Sequence, residues 1–410
     1  MNRELHVLIA GGGLSGLCLA HGLRRAGHTC EVFERDPDFS RRTGYMLHMN
    51  AYGGDGLRAC LPEDLYELYL ETSRRTPDRR QSIVLDNRLG ELSVQPHLGP
   101  PNEGPRPHTG VHRRTLRQIL LARLGDSLHL SKAAVGYEET DSGVRLQLAD
   151  GTSADGDVLV GADGIRSAIR RQRLPEVGVI DAGIEGIGVF GRSPLTPAVI
   201  AGLPPLLLQG VIIVTDRAGH RLLLGAFQPR REIAAAPATI ASDVELEPVE
   251  DYMMVSCSVA EGTMIPPNRD WTDATPAMLR ESMLRALDGW DPAARGIVER
   301  LELESMFSIP FGYLEPPEPW EPSRITLIGD AAHAMLPTLG MGANLSLRDA
   351  GLLSERLAAV GRGEQDLVAA IGAYEDQMRE VVYPIMRMAM EHDKHFGGGA
   401  LERINEPAEA

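Results

Sequence analysis

The chain has 410 residues, 43% hydrophobic and 24% charged, the proportions of a soluble globular protein large enough to bury more than one core. Its 41 basic residues against 57 acidic ones leave a net charge of −16, which argues against nucleic acid or an anionic membrane surface as partner. With Lys132 and Lys394 its only lysines, it has no Gly-x-x-x-x-Gly-Lys phosphate loop.

His6 to Ala10 is a short apolar run ended by glycines, as a buried parallel strand should be. Leu14 to Ala26 reads as a helix stopped by Gly27, and Thr29 to Glu34 as the next strand, so a βαβ unit opens the chain. Gln95 to Gly110, with five prolines and three glycines, reads as a surface loop. Leu116, Ile119, Leu120 and Leu124 mark an amphipathic helix, Val135 to Leu148 a hairpin about Asp141-Ser142-Gly143, and Val158 to Val160 a buried strand. From about Val179 to Phe311 the pattern changes to strand-like runs at 206–214, 221–227, 252–260 and 304–310, predicting a mostly antiparallel sheet. Arg324 to Ile328 returns as strand, followed by helices at 343–360 and 367–392, the second expected to kink at Pro384.

The fold class is therefore α/β: a Rossmann-like nucleotide-binding domain, a mostly antiparallel sheet domain and C-terminal helices. The expected division is 1–178 for the first part of the nucleotide domain, with an excursion into the sheet near 75–110. The sheet domain follows at 179–320, the return and helices at 321–396, and a flexible tail at 397–410.

Three glycine-acid signatures carry chemistry. In Gly11-Gly12-Gly13-Leu14-Ser15-Gly16, Gly11 permits the tight turn, Gly13 the approach of backbone amides to a pyrophosphate, and Gly16 close helix–strand packing. Glu34 ends the second strand about 20 residues on, where it can accept ribose hydroxyls. Alone, this pattern leaves NAD and FAD open. Gly329-Asp330-Ala331-Ala332-His333 decides for FAD: a strand delivers Asp330 to its carboxyl end, placing it for the ribitol chain. Pro337 and Gly340 to Asn344 then give small residues that let main chain lie against a flat ring. The third signature is Ala162-Asp163-Gly164-Ile165-Arg166-Ser167.

At these residues the chain resembles the class A (single-component) FAD-dependent aromatic monooxygenases with the p-hydroxybenzoate hydroxylase-like fold, over essentially its whole length. The resemblance implies that Glu34 and Arg35 hold the adenosine end of FAD, and that Arg113 contacts the cofactor, with Arg114 as rival. It implies further that Asp163 and Gly164 serve FAD, Asp330 the ribitol, and Pro337, Gly340, Gly342, Ala343 and Asn344 the isoalloxazine. NADPH or NADH would reduce FAD, and a flavin C4a-hydroperoxide would pass one oxygen to an aromatic or polyketide-like small molecule of secondary metabolism. Flavins in this family often swing between two positions, which mobile contacts around Arg42-Thr43-Gly44-Tyr45 would suit.

The substrate is expected between flavin and sheet, with Tyr45, Leu47, His48, Phe190, Arg192, Phe227 and Met254 as candidate lining residues. His48 alone offers itself as an acid or base, and oxygen transfer does not require one. Cys18, Cys30, Cys60 and Cys257 form no Cys-x-x-Cys pair, no metal is expected at His392 and His395, and no apolar run is long enough for a span. Isolated tryptophans and the absence of an early lysine exclude a flavin halogenase, and no Gly-x-Ser-x-Gly elbow supports a hydrolase. A cytoplasmic monomer or homodimer is expected. Baeyer–Villiger or epoxidising chemistry, and a non-catalytic FAD-binding redox sensor, are the other readings of the same motifs.

Overall fold

The computed structural model describes residues 4–38, 44–79, 81–95, 99–100, 110–181, 187–258, 274–310 and 312–396. Five short strands build an all-parallel sheet: β1 (His6–Ala10), β2 (Thr29–Phe33), β7 (Leu128–His129), β11 (Val158–Gly161) and β19 (Ile325–Leu327), in the order β19-β11-β1-β2-β7. Every residue of β11 and all but one of β1 are buried, as a sheet covered on both faces requires. The helices α1 (Leu14–Arg25), α2 (Ala51–Cys60), α3 (Glu63–Thr72) and α4 (Arg113–Leu121) belong to this half of the molecule, as does α5 (Ala168–Arg173). So do the ribbon of β8 (Ala134–Glu139), β9 (Val144–Leu148) and β10 (Ser153–Gly156), and the antiparallel pair of β3 (Met46–His48) with β6 (Gly110–His112).

The second sheet has seven strands. They are β4 (Ser82–Asp86), β5 (Glu91–Gln95), β13 (Ile187–Pro194), β14 (Val211–Thr215), β15 (Arg221–Phe227), β16 (Tyr252–Ser258) and β17 (Phe307–Pro310), ordered β17-β13-β16-β15-β14-β4-β5. It is antiparallel except between β4 and β14, which run parallel; β4 and β5 come from far earlier in the chain than the other strands. Residues 206–210 are not strand as expected: a short 3-10 turn at Pro205–Leu208 precedes β14. Helices α6 (Pro197–Gly202) and α7 (Pro237–Ile240) lie in the loops. A small pair, β12 (Ile180–Asp181) with β18 (Gly312–Tyr313), stands where the chain enters and leaves the sheet.

One face of this sheet, including Val189, Ile212, Val214, Leu222, Leu224, Met253 and Val255, forms a core with α8 (Pro276–Ala286) and α9 (Pro292–Glu299). The opposite face contributes Phe227, Tyr252 and Met254 to the core of the parallel sheet. That junction is where the site lies.

The chain closes with α10 (Asp330–His333), α11 (Gly342–Gly361) and α12 (Leu367–Phe396), and α12 runs on through Pro384 as one helix. Tyr374 of α12 donates its hydroxyl to the Leu327 carbonyl (2.8 Å), and Thr326 donates to Glu375 (2.8 Å), which ties α12 to β19.

Candidate functional site

The carboxyl ends of β1, β11 and β19 meet at one edge, the side on which open α/β sheets bind ligands. Gly11 leaves β1 at φ +112°, donates its N–H to the Phe33 carbonyl (2.8 Å), and a Cβ there would lie 2.8 Å from Asp163 Cα. Only glycine can take that turn at that proximity, so the first and second signatures touch. Gly329 does the same for the third: at φ +59°, the point its Cβ would occupy is 3.0 Å from Ser15 Oγ. A Cβ on Gly16 would overlap the Gly11 carbonyl, so α1 sits flush against the loop. Gly13, the N-cap of α1, has no atom within 4 Å of its Cβ position, and half-buried Leu14 begins the helix, whose first amides have no partner within the helix itself.

Glu34 is buried at the end of β2. Its Oε2 accepts the Gly12 N–H (2.8 Å) and its Oε1 the Asp36 N–H (2.9 Å). Arg117 Nη2 stands 3.8 Å from Glu34 and donates to the Gly12 carbonyl (3.2 Å). Sequence reasoning missed Arg117, although it follows Arg113 at the i+4 spacing that shares a helix face. Arg35 is exposed, and Arg42 lies outside the described residues. Arg113 begins α4 and donates its N–H to the Tyr45 carbonyl (2.9 Å), while Arg114 is held by Glu247 at 2.5 Å.

Asp163 Oδ2 accepts the Ala168 N–H (2.7 Å), whereas its Oδ1 is buried with no hydrogen-bond partner. Burial raises the Asp163 pKa, against the lowering effect of Ser167 and nearby N–H groups. Gly164, at φ +76°, has nothing within 4 Å of its Cβ position. Asp330 opens α10, exposed, and its carboxylate makes no hydrogen bond among the described residues. Beneath it, fully buried Asp349 accepts the Gly329 N–H (3.0 Å) and holds His333 Nε2 at 2.5 Å. Burial opposes charge on His333, yet Asp349 and then Asp330 raise its pKa above the ordinary value. His333 is thus a buried partner of Asp349 beneath the signature.

Pro337 is exposed in a 3-10 turn, Gly340 takes φ +63° with nothing beside it, and Gly342 and half-buried Ala343 start α11. Asn344 turns inward: it donates to the His48 (2.9 Å) and Gly340 (3.2 Å) carbonyls and accepts the Asn50 N–H (2.9 Å). Its side-chain amide therefore shapes the loop. A buried carboxylate oxygen without a partner, an exposed lone carboxylate and glycines with open flanks fit a long dinucleotide.

On the sheet side, Phe190 and Arg192 of β13, Phe227 of β15, and Tyr252 and Met254 of β16 share one face by register. Phe190 and Phe307 stack with centroids 5.5 Å apart, and Tyr45 leans on them at 5.6 and 5.9 Å. The Tyr45 hydroxyl is pushed up by burial and feels the charges of Arg113 and Asp330, so aromatic wall and signatures meet there. Leu47 and His48 are half-buried on β3. Phe227 is not a lining residue: fully buried, it stacks on Tyr252 at 5.1 Å and packs beneath the site, and Met254 is nearly as enclosed.

Beside this wall lies a cavity of about 260 Å³ bounded by Gly44, His112, Arg114, Arg192, Glu247 and Glu304 among others. His112 Nδ1 is 2.8 Å from the Tyr252 hydroxyl, and the Arg192 guanidinium lies over the Tyr252 ring at 5.6 Å. Neither His112 nor Tyr252 was anticipated, because their pairing is a tertiary contact with no local spacing.

Comparison with known proteins matches the family described as "FAD binding domain" over residues 317–389, and "NAD(P)-binding Rossmann-like domain" over residues 9–45. Among curated relatives, the chain is similar to a dual O-methyltransferase/FAD-dependent monooxygenase of Phaeosphaeria nodorum, 28% identical over 97% of this chain and 45% of the relative. It is also similar to a salicylate hydroxylase of Pseudomonas putida, 27% identical over 92% of this chain and 82% of the relative. The chain spans less than half the length of the first such relatives, 45%, 44% and 44%. A crystal structure described as an FAD containing monooxygenase from Photorhabdus luminescens superposes with a TM-score of 0.79 at 30% identity, over 96% of this chain and 98% of that one.

Proposed function

Since this chain belongs to the single-component FAD-dependent monooxygenases with the p-hydroxybenzoate hydroxylase-like fold, we propose that it uses NADPH or NADH and dioxygen to hydroxylate an aromatic or polyketide-like small molecule. The observation that carries this reading is the contact of three distant signatures, Gly11 with Asp163 and Gly329 with Ser15, beside a half-buried aromatic wall.

FAD, when bound, supplies hydride acceptance from the nicotinamide and the reaction with dioxygen. The protein binds, orients and excludes water. The α1 N-terminus receives the pyrophosphate, with Gly11 and Gly13 admitting it. Glu34, with Arg35 beside it in sequence and Arg117 at 3.8 Å, takes the adenosine ribose, and Arg113 contacts the coenzyme; Arg42 is proposed from sequence alone. Asp163 and Gly164 lie along the coenzyme, Asp330 hydrogen-bonds the ribitol, and Pro337 to Asn344 frame the ring system. Tyr45, Leu47, Phe190, Arg192 and Met254 border the substrate, with aromatic faces that suit a flat, electron-rich ring. His48 is the candidate acid or base. The reaction is placed in the cytoplasm, in keeping with four free, buried cysteines.

The test is NADPH and NADH oxidation with dioxygen uptake by FAD-loaded protein, across a panel of phenols and aryl ketones. Stimulation of both rates by a subset of the panel, with one labelled oxygen atom from dioxygen in the product, is expected. Rates that no compound alters would favour the redox-sensor reading instead.

A further inference from the structure

A row of side chains runs across the inner face of the seven-stranded sheet, starting from the aromatic wall. Strand register sets Phe307 against Phe190, and then in turn Ser256, Leu223, Ile213 and Val84. Their chain neighbours, among them Val189, Leu222, Ile212 and Ile83, belong to the outer core, so strand alternation turns the row inward. Ser256 is its one polar member, and no member ionises. Val84 is buried and the others are half-buried. Among the described residues Phe307, Phe190, Ile213 and Val84 nevertheless belong to neither core, and Leu223 packs only against the margin of one. The aliphatic residues thus share the standing of the aromatic wall and continue it.

The strip is long and narrow. From Phe190 to Val84 it passes from β13 over β16, β15 and β14 to β4, about 19 Å at the usual strand spacing. Two residues along the strands on one side, Gly225 is closed over by Met46, whose methyl group stands 2.5 Å from its Cβ position. Two residues along on the other side, Arg221 faces Thr215, which gives a polar border. The phenylalanines at one end offer flat faces to a ring. Leu223, Ile213 and Val84 offer rounded aliphatic surface about one side chain wide, which suits a single hydrocarbon chain better than fused rings.

We propose that the substrate carries an aliphatic tail, alkyl or isoprenoid, which leaves its ring at Phe190 and lies across Leu223, Ile213 and Val84. The assignment rests on the monooxygenase reading and narrows its substrate class to a ring joined to a hydrocarbon chain. It makes Leu223, Ile213 and Val84 specificity residues. They act by removing the tail from water, a gain that grows with every methylene group buried.

The experiment titrates FAD-loaded protein with para-alkylphenols bearing methyl, butyl, hexyl and octyl chains, with dissociation constants read from the flavin absorbance change. Each methylene group buried should tighten binding about threefold, so octylphenol is expected to exceed butylphenol by roughly tenfold or more. Ile213→Trp, which fills the strip, should hold octylphenol no tighter than butylphenol. Ile213→Thr, nearly the same shape with a hydroxyl on the strip, should lose part of the octyl gain. Both variants should bind methylphenol and FAD as wild-type protein does. A wild-type affinity that does not rise with chain length, absence of binding included, would overturn the proposal. So would a chain-length gain left whole in both variants, or tighter binding of the fused-ring 2-anthrol than of octylphenol. Failure of wild-type protein to hold FAD at all would overturn the monooxygenase reading along with it.

Discussion

Asp330 and Asp349 stand a few residues from the same glycine and do opposite work. Asp330 is exposed and unpaired among the described residues, an available ligand; Asp349 is fully enclosed and spends its charge on Gly329 N–H and His333. Removing Asp349's charge strands a buried histidine, which costs about 3 kcal/mol for a broken buried pair. Asp349→Asn should therefore lower the urea unfolding free energy by about that much near pH 6. The sign with pH follows from the raised His333 pKa: its stabilisation is complete below the unfolded value and is lost as pH rises through the folded one. The variant's deficit should accordingly shrink toward pH 9; a deficit that grows with pH would contradict the pairing. At this scale the positions of the acidic residues at strand ends were legible, because each follows a short run of mostly apolar strand residues. Phe227 was misjudged, since residue type alone does not tell an inward-turned ring from an outward one. His112 and Tyr252 were invisible, being 140 residues apart and joined only through the fold.

Helix α2 shows how packing overrides propensity. Gly53, Gly54 and Gly56 make Ala51–Cys60 a poor helix by composition, and the sequence reading left it unassigned. Those glycines let α2 lie against α11 at backbone distance: a Cβ on Gly56 would overlap the Leu347 carbonyl, and one on Gly351 would lie 3.0 Å from Gly56 Cα. Gly56→Ala gains helix propensity yet should destabilise by about 1–3 kcal/mol, as overpacking does. A urea titration finding the variant as stable as wild type would show that the helices separate freely. The starts of α8 and α9 were also missed, although Thr275-Pro276 and Asp291-Pro292 are cap-then-proline pairs whose side chains accept from Met278 and Ala293 N–H. The strands of both sheets were read more readily, because buried apolar runs between turns leave a local trace. The parallel join of β4 to β14 leaves none, being set by topology.

The whole molecule is organised so that one seven-stranded sheet serves two cores. Its outer face packs on α8 and α9, and its inner face adds Phe227, Tyr252 and Met254 to the core that carries the parallel sheet. The aromatic wall is thereby fixed against the carboxyl edge of the parallel sheet, and no helix among the described residues is long and apolar enough to cross a membrane. The three signatures, spread from Gly11 to Asn344, gain meaning only through that assembly. Their shared occupant is best tested by FAD titration of wild-type protein beside Glu34→Ala, Asp163→Asn and Asp330→Ala, with Arg362→Ala at an exposed ion pair as control. Tight, stoichiometric binding by wild type and control, weakened roughly tenfold or more in each of the other three, is the predicted result. Wild-type protein that takes up no FAD, or a loss confined to Glu34→Ala, would contradict a single coenzyme held by all three signatures.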